Sequence, residues 1–188
     1  MELPQIYPLL VDLFPQATVT QPSEVTWQVE LPQTRLLAIA SEDLAWLRVL
    51  LPLAPQGEAQ TYLEALLEAN FDAHQRVHYA LHQDVLWAVA CQRLGTLTPA
   101  DLAATLEQAQ QCQQTWLRDA FLYTTEKQLR QIIQAAKQQG QSLEATLQNV
   151  NRFYEEGILG GLEQTAEERE SVMAAWKTRL TQLWETEQ

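Results

Sequence analysis

The stretch "RVHYALHQDVLWAVACQRL", residues 76–94, contains two alternating segments on either side of a short turn. In the first segment, the apolar residues Val77, Tyr79 and Leu81 alternate with polar or small ones, which is the period of a half-buried strand. The triplet "HQD" at 82–84 is typical of a tight turn, and the apolar segment after it is suited to a second strand. The stretch therefore predicts a β-hairpin whose His78 and His82 face away from the covered surface.

The histidines of this hairpin raise the question of a metal site. His74, His78 and His82 are four residues apart and are the three histidines of the chain. That spacing puts side chains on one face of a helix or of a strand, so spacing alone does not decide. No Cys or carboxylate completes a ligand set at a useful distance along the chain, so we expect neither a metal nor another cofactor. His82 with Asp84 as a general-base pair is the remaining alternative, although two such residues in a turn more commonly cap the backbone.

Outward from the hairpin, the chain predicts further strands and then helices. Residues 6–14 have the apolar spacing of a short helix, and 57–71 have that of a second one. Between them, alternation or apolar runs predict strands at 24–31, 34–40 and 44–53. "LTPAD" opens a helix, with Thr98 as its N-cap and Pro99 in its first turn. The apolar stripe of this helix shifts after "FLYTT", which predicts a bend or break near Thr124, and further helices follow.

Composition and charge exclude several classes of function. The chain has 188 residues, with 12 basic and 24 acidic side chains and a net charge of −12. Such a charge opposes general binding to nucleic acid or to anionic membranes. The most apolar run, "LAWLRVLLPLAP" at 44–55, is shorter than the roughly 20 residues of a membrane span and contains Arg48. The N-terminal "MELPQIYPLLVDLFP" lacks a basic start and predicts no signal peptide, and unpaired Cys91 and Cys112 suit a reducing, cytoplasmic location.

The predicted elements follow the order helix, three strands, helix, two strands and long helix, and this order is similar to that of a known family. Together with "LLEANF" at 66–71, "DVLWAVACQRL", "LTPADL" and Trp116, it resembles the class I type III secretion chaperones, in a wider grouping with the YbjN-like proteins. The resemblance implies an α+β fold with a five-stranded twisted antiparallel sheet, over residues 1–122. Residues 123–188 would then form a helical C-terminal extension. Members of this family are small, acidic, usually dimeric proteins without an active site.

The resemblance also implies which surfaces are used. Self-association would involve the middle helix and the neighbouring hairpin, at Tyr62, Leu66, Leu67, Phe71, Val85, Trp87 and Val89. A partner would bind the first helix and the early strands, at Leu10, Leu13, Phe14, Trp27 and Trp46. The sequence alone does not separate core residues from surface residues in either set.

These observations lead to one functional expectation and one alternative. We expect a non-enzymatic, chaperone-like, cytoplasmic homodimer that binds a segment of a partner protein. We expect it to bind neither nucleic acid nor membranes. The alternative is a regulatory or assembly-factor module that acts through its C-terminal helices. An enzyme is disfavoured because no arrangement of nucleophile, base and oxyanion donors emerges from the sequence.

Overall fold

The computed structural model describes residues 1–71, 76–155 and 166–186. Its strands are β1 (Thr18–Ser23), β2 (Thr26–Glu30), β3 (Arg35–Ala40), β4 (Trp46–Pro55), β5 (His78–His82) and β6 (Val85–Arg93). Its α-helices are α1 (Ile6–Leu13), α2 (Gln56–Ala59), α3 (Leu63–Ala69), α4 (Pro99–Gln138), α5 (Leu143–Glu155) and α6 (Ala166–Thr186). Short 3₁₀ turns lie at Leu3–Gln5, Gln60–Tyr62 and Leu94–Thr96.

The strands form one antiparallel sheet in the order β1-β2-β3-β4-β6-β5. The α+β class and the antiparallel sheet are confirmed, but the predicted count of five strands is wrong because the sheet has six. The missed strand is β1, whose sequence "TVTQPS" has a single large apolar residue, Val19. It lies at the edge of the sheet, where a polar strand that contains Pro22 is tolerated because its outer backbone groups need no partner.

The hairpin of β5 and β6 is present, with His82 paired to Val85 across its turn. Gln83 and Asp84 have φ values of 49° and 59°, so both central residues are in the left-handed region. A two-residue turn of this kind matches the twist of the strands that it joins. His78 and His82 are exposed, and Val77 is buried.

The chain divides into two compact units, Met1–Phe121 and Leu122–Gln188. In the first unit, α1 and the start of α4 cover one face of the sheet. The two helices contribute six residues to the core, namely Ile6, Leu10, Phe14, Leu102, Leu106 and Ala109. The sheet contributes Trp27, Val29, Leu36, Ala38, Leu47, Val49, Leu51, Ala88 and Ala90, among others. We call this the covered face of the sheet.

A second cluster extends the same core, and the second unit has a core of its own. Ala65 and Leu66 of α3 pack in one cluster with Leu86 of β6 and Trp116 of α4. In the second unit, the buried residues are Leu129, Ile133, Val150, Leu180 and Leu183. Each unit therefore buries apolar side chains among its own elements.

Two helix predictions need correction. No break occurs near Thr124, because α4 is continuous from Pro99 to Gln138. The shift in its apolar stripe marks a change in what the helix packs against, since Trp116 belongs to a core of the first unit and Leu129 to that of the second. The helix predicted at 57–71 is divided into α2, a 3₁₀ turn and α3, and the backbone of Tyr62 leaves the helical region at ψ 2°.

Candidate functional site: the open face of the sheet

The face of the sheet opposite the covered face is rich in apolar side chains, and none of the described helices of the first unit packs on it. We call it the open face. Leu37 of β3 is paired with Leu50 of β4, which is paired with Val89 of β6. In the next row along the sheet, Pro52 is paired with Trp87. These side chains are half-buried, and none of them belongs to a core cluster of the described residues.

A shallow groove of about 410 Å³ lies at the end of the open face where β4 begins. It is lined by Ile39, Ala40, Ser41, Trp46, Arg48, Leu50 and Cys91. The Trp46 side chain is 40% exposed, which is unusual for the residue type with the largest apolar surface. The groove therefore offers apolar contact area to another molecule.

The turn before β4 fixes the position of Trp46. The Asp43 carboxylate accepts hydrogen bonds from the Ser41 hydroxyl and from the backbone N–H of Ala45, the latter at 3.1 Å. These bonds hold the pKa of Asp43 below its usual range, with the Ser41 bond as the larger cause. The Trp46 backbone N–H donates to Ser41 Oγ at 3.0 Å, so the start of the strand is tied to the same network.

The aromatic side chains of the open face are also held by polar contacts. The guanidinium of Arg93 lies over the ring of Trp46, 5.1 Å from its centroid, which is cation–π geometry. The indole Nε1–H of Trp87 donates to the backbone carbonyl of His82 at 3.1 Å. Both rings are thereby oriented before any partner binds.

The predicted partner-binding residues are divided between core and surface. Leu10 and Trp27 are fully buried, and Phe14 is 7% exposed, so these three residues form part of the hydrophobic core. Leu13 and Trp46 are exposed, and Trp46 lies on the open face. On α1, Tyr7 and Val11 are exposed as well as Leu13.

The predicted self-association residues also separate. Leu66 is buried in the second cluster, and Tyr62 packs against it. Leu67 and Phe71 are 68% and 90% exposed at the outer side and end of α3. Val85, Trp87 and Val89 lie on the open face, so the structure brings them together with Trp46 rather than with α3.

Sequence reasoning missed other residues of the open face, among them Leu37, Ile39, Arg48, Leu50 and Arg93. A signal for them exists in "RLLAIA" and "WLRVLLPL", where apolar residues occupy both alternate sets of positions. Strands with that pattern are typical of sheets that are covered on both faces.

Other kinds of site find little support in the described part of the chain. Residues 1–71, 76–155 and 166–186 contain no group of three His, Cys, Asp or Glu side chains that could hold a metal ion. His74 lies outside the described residues. Among the described helices, none has both the length and the apolar character that crossing a membrane requires.

Comparisons with known proteins give limited similarity. No protein-family model matches the chain, and no curated protein matches it. Among solved structures, the chain is similar to the type III secretion chaperone SycH of Yersinia pestis, solved in complex with a stable fragment of YscM2. That match has 13% identity and a TM-score of 0.43, over 58% of this chain and 97% of the other. A chain of the HopA1–SchA chaperone–effector complex matches with 13% identity and a TM-score of 0.46, over 62% and 97%. Neither similarity establishes a family.

Proposed function

We propose that this protein is a non-enzymatic, chaperone-like protein that binds a segment of a partner protein on the open face of its sheet. The observation that carries the proposal is that the central strands are apolar on both faces, while helices of the first unit cover one face alone. Neighbouring apolar side chains that stay accessible on a surface mark interaction sites in soluble proteins when they form a large patch. The half-buried Leu50 and Trp87 and the exposed Trp46 are the expected contacts.

The form of the open face supports a polypeptide segment as the ligand. Its groove is shallow and continuous with the rest of the sheet surface, whereas small-molecule sites are concave and enclose most of their ligand. The resemblance of the sequence to class I type III secretion chaperones implies the same class of ligand. We further propose that the protein acts in the cytoplasm as a homodimer, with Leu67 of α3 and Phe71, which follows that helix, in the subunit interface.

The experiment is a binding titration with a protein that remains unfolded in buffer, such as a fluorescein-labelled, reduced and carboxymethylated globular protein. Fluorescence anisotropy of this probe measures its affinity for the full chain. The double variant Trp46→Ser/Trp87→Ser removes apolar area from the open face without altering a core residue. We expect it to weaken binding at least about tenfold, because aromatic residues dominate binding energy at protein interfaces.

A matched control is available on α1. Tyr7 and Val11 are exposed to 39% and 40%, nearly the same fraction as Trp46, but they lie on the first helix. The double variant Tyr7→Ser/Val11→Ser should retain the affinity of the wild type. If this variant loses binding and the open-face variant keeps it, the first helix is the binding surface and our location of the site is wrong.

A second candidate function has one observation in its favour. The second unit buries Leu129, Ile133 and Val150 in a core of its own, so it has the means to act as a separate module. In that case the protein is an assembly factor that works through its C-terminal helices. Capture of the native partner by the Trp46→Ser/Trp87→Ser variant, together with loss of capture on deletion of residues 122–188, would favour this function.

A further inference from the structure

Two arginines on the open face differ from the other arginines of the first unit in having no acidic partner among the described residues. Arg35 pairs with Glu30 at 2.6 Å, Arg76 with Asp101 at 2.8 Å, and Arg118 with Asp119 at 2.9 Å. Among the described residues, no carboxylate lies within salt-bridge distance of Arg48 or Arg93. In a chain with a net charge of −12, the open face is therefore a local site of unneutralised positive charge.

These two arginines are close together at one end of the face. Arg48 is paired with Cys91 across β4 and β6, and Arg93 is paired with Trp46 in the next row of the same face. From there the face continues as apolar side chains toward Pro52 and Trp87. The face thus has a cationic end and an apolar end.

This arrangement argues against a second copy of the same face as the occupant. Within the described strands, Glu30 is the one carboxylate on the open face, and it is already paired with Arg35. Two such faces packed together would leave Arg48 and Arg93 opposite apolar or basic groups. Desolvating unpaired charges in this way is unfavourable, so a partner that covers these arginines and supplies carboxylates is favoured over a second copy.

The geometry of the face also indicates the conformation of the occupant. Extended segments add to a sheet at its edges, whereas an apolar sheet face is ordinarily covered by an amphipathic helix or by another sheet. The strip from Trp46 to Pro52 is seven residues, or about 20 Å at roughly 3.3 Å per residue. A helix of about 14 residues has the same length.

We propose that the open face binds an amphipathic helix of a partner protein whose carboxylates are gathered at one end and contact Arg48 and Arg93. This inference rests on the proposed function, since it names the kind of segment that the open face takes. Guanidinium groups form two parallel hydrogen bonds to a carboxylate, which gives both affinity and orientation. The apolar side of the helix lies over Leu50, Val89 and Trp87.

The test uses two fluorescein-labelled helical peptides of about 14 residues that differ at one end. Both carry Leu and Ile on one side, and one has two Glu in its last turn where the other has two Lys. Anisotropy titrations are performed with the full chain near physiological ionic strength, so that distant charges of the acidic chain are screened. We expect the Glu peptide to bind at least about tenfold more tightly than the Lys peptide.

Variants assign this preference to the two arginines. Arg48→Gln/Arg93→Gln should abolish the preference while leaving the affinity for the Lys peptide unreduced. Arg118→Gln, which removes an exposed and already paired arginine on α4, should keep the wild-type preference.

Equal binding of the two peptides, or tighter binding of the Lys peptide, would overturn the inference. The same holds for a Glu preference that survives Arg48→Gln/Arg93→Gln. In these cases the proposed function stands if Trp46→Ser/Trp87→Ser still weakens binding of the unfolded probe. If neither the peptides nor the unfolded probe bind the wild type, the inference and the proposed function both fail.

Discussion

The two cysteines of the chain lie in different surroundings. Cys91 is exposed and lines the groove of the open face, whereas Cys112 is half-buried beside Tyr79. Burial raises the pKa of the Cys112 thiol, an effect that the hydrogen bond with Tyr79 opposes in part. A raised pKa reduces the fraction of thiolate, which is the reactive form.

We therefore predict that iodoacetamide modifies Cys91 at least about tenfold faster than Cys112 in the native protein near neutral pH. Mass spectrometry of digested samples, taken over time, measures both rates. A ligand on the open face should protect Cys91 and leave the rate at Cys112 unchanged. Equal rates in the folded protein would contradict the assignment of Cys91 to an exposed surface.

Asp101 provides a prediction about pH. Its carboxylate accepts from the Thr98 hydroxyl at 2.6 Å and from Arg76 at 2.8 Å, and these contacts hold its pKa below the usual range, with Thr98 as the larger cause. A lowered pKa in the folded state means that the charged form stabilises the fold. This stabilisation is complete above the pKa of the unfolded chain, about 3.9, and is lost as the pH falls through the folded value.

We accordingly expect Asp101→Asn to destabilise the protein near pH 7 and to matter progressively less as the pH falls below about 4. Urea unfolding of both proteins at several pH values measures the difference. A difference between wild type and variant that is constant from neutral to acidic pH would show that the ionised carboxylate does not stabilise the fold.

The individual roles of the predicted binding residues could be foreseen only in part. The periodicity of residues 6–14 predicts which side of α1 packs on the sheet. It does not predict how many of the residues next to that side are buried as well. Leu10 is fully buried while Val11, the next residue, is 40% exposed. Trp27 is the second residue of β2 and Trp46 is the first of β4. Their opposite environments depend on which face the helices cover, which is a property of the tertiary structure.

Among the secondary-structure elements, the strands with regular alternation or long apolar runs were predicted within two or three residues of their ends. β1 was missed because an edge strand needs little apolar character, and its pairing with β2 is set by the neighbouring chain rather than by its own pattern. The continuity of α4 was missed for a related reason. Backbone hydrogen bonding continues through a helix whose packing partners change along its length.

The end of α4 provides a prediction about a glycine. Gly140 has a φ of +68°, and the N–H of Gln141 donates to the carbonyl of Ala136 at 2.9 Å, as in a helix ending with a left-handed residue. We predict that Gly140→Ala destabilises the second unit by about 1 kcal/mol, since a Cβ strains that backbone conformation. Thermal unfolding followed by circular dichroism measures the loss.

Gly95→Ala is the matched control for this prediction. A Cβ at either glycine meets no atom within 4 Å, but only Gly140 has a positive φ. Gly95→Ala should therefore leave stability unchanged or raise it slightly. If both substitutions have the same effect, backbone strain at Gly140 is not the cause.

At the scale of the whole molecule, each unit has its own buried cluster, and this predicts independent folding of the first one. A fragment of residues 1–121 keeps the sheet, α1, α3 and the first part of α4, which includes the buried Trp116 and Ala120. We expect this fragment to unfold cooperatively in urea, with the far-ultraviolet spectrum of a mixed α and β protein. A fragment that is unfolded while the full chain is stable would show that the two parts depend on one core.

The predicted homodimer is a second property of the whole chain. Leu67 and Phe71 are highly exposed, so Leu67→Glu/Phe71→Glu should convert a dimer to a monomer without altering the core. Because each copy carries a charge of −12, added salt should strengthen association by screening repulsion between subunits. Analytical ultracentrifugation at several salt concentrations tests both statements, and Leu117→Glu on α4 is the control.

A wild-type monomer at concentrations of about tens of micromolar, with no response to salt, would exclude this dimer as a stable form. Dissociation by Leu117→Glu and not by Leu67→Glu/Phe71→Glu would place the interface on α4.

Pro22 in β1 has a consequence for newly made chains on the same polysome. An exposed edge strand is a template on which other chains extend a sheet, and this is how fibrous aggregates begin. Pro22 lacks the N–H that such growth requires, and the register of β1 shifts between Thr20 and Ser23, so the outer edge is irregular. We therefore expect neighbouring nascent chains to extend a common sheet along β1 less readily than along a regular edge strand without proline.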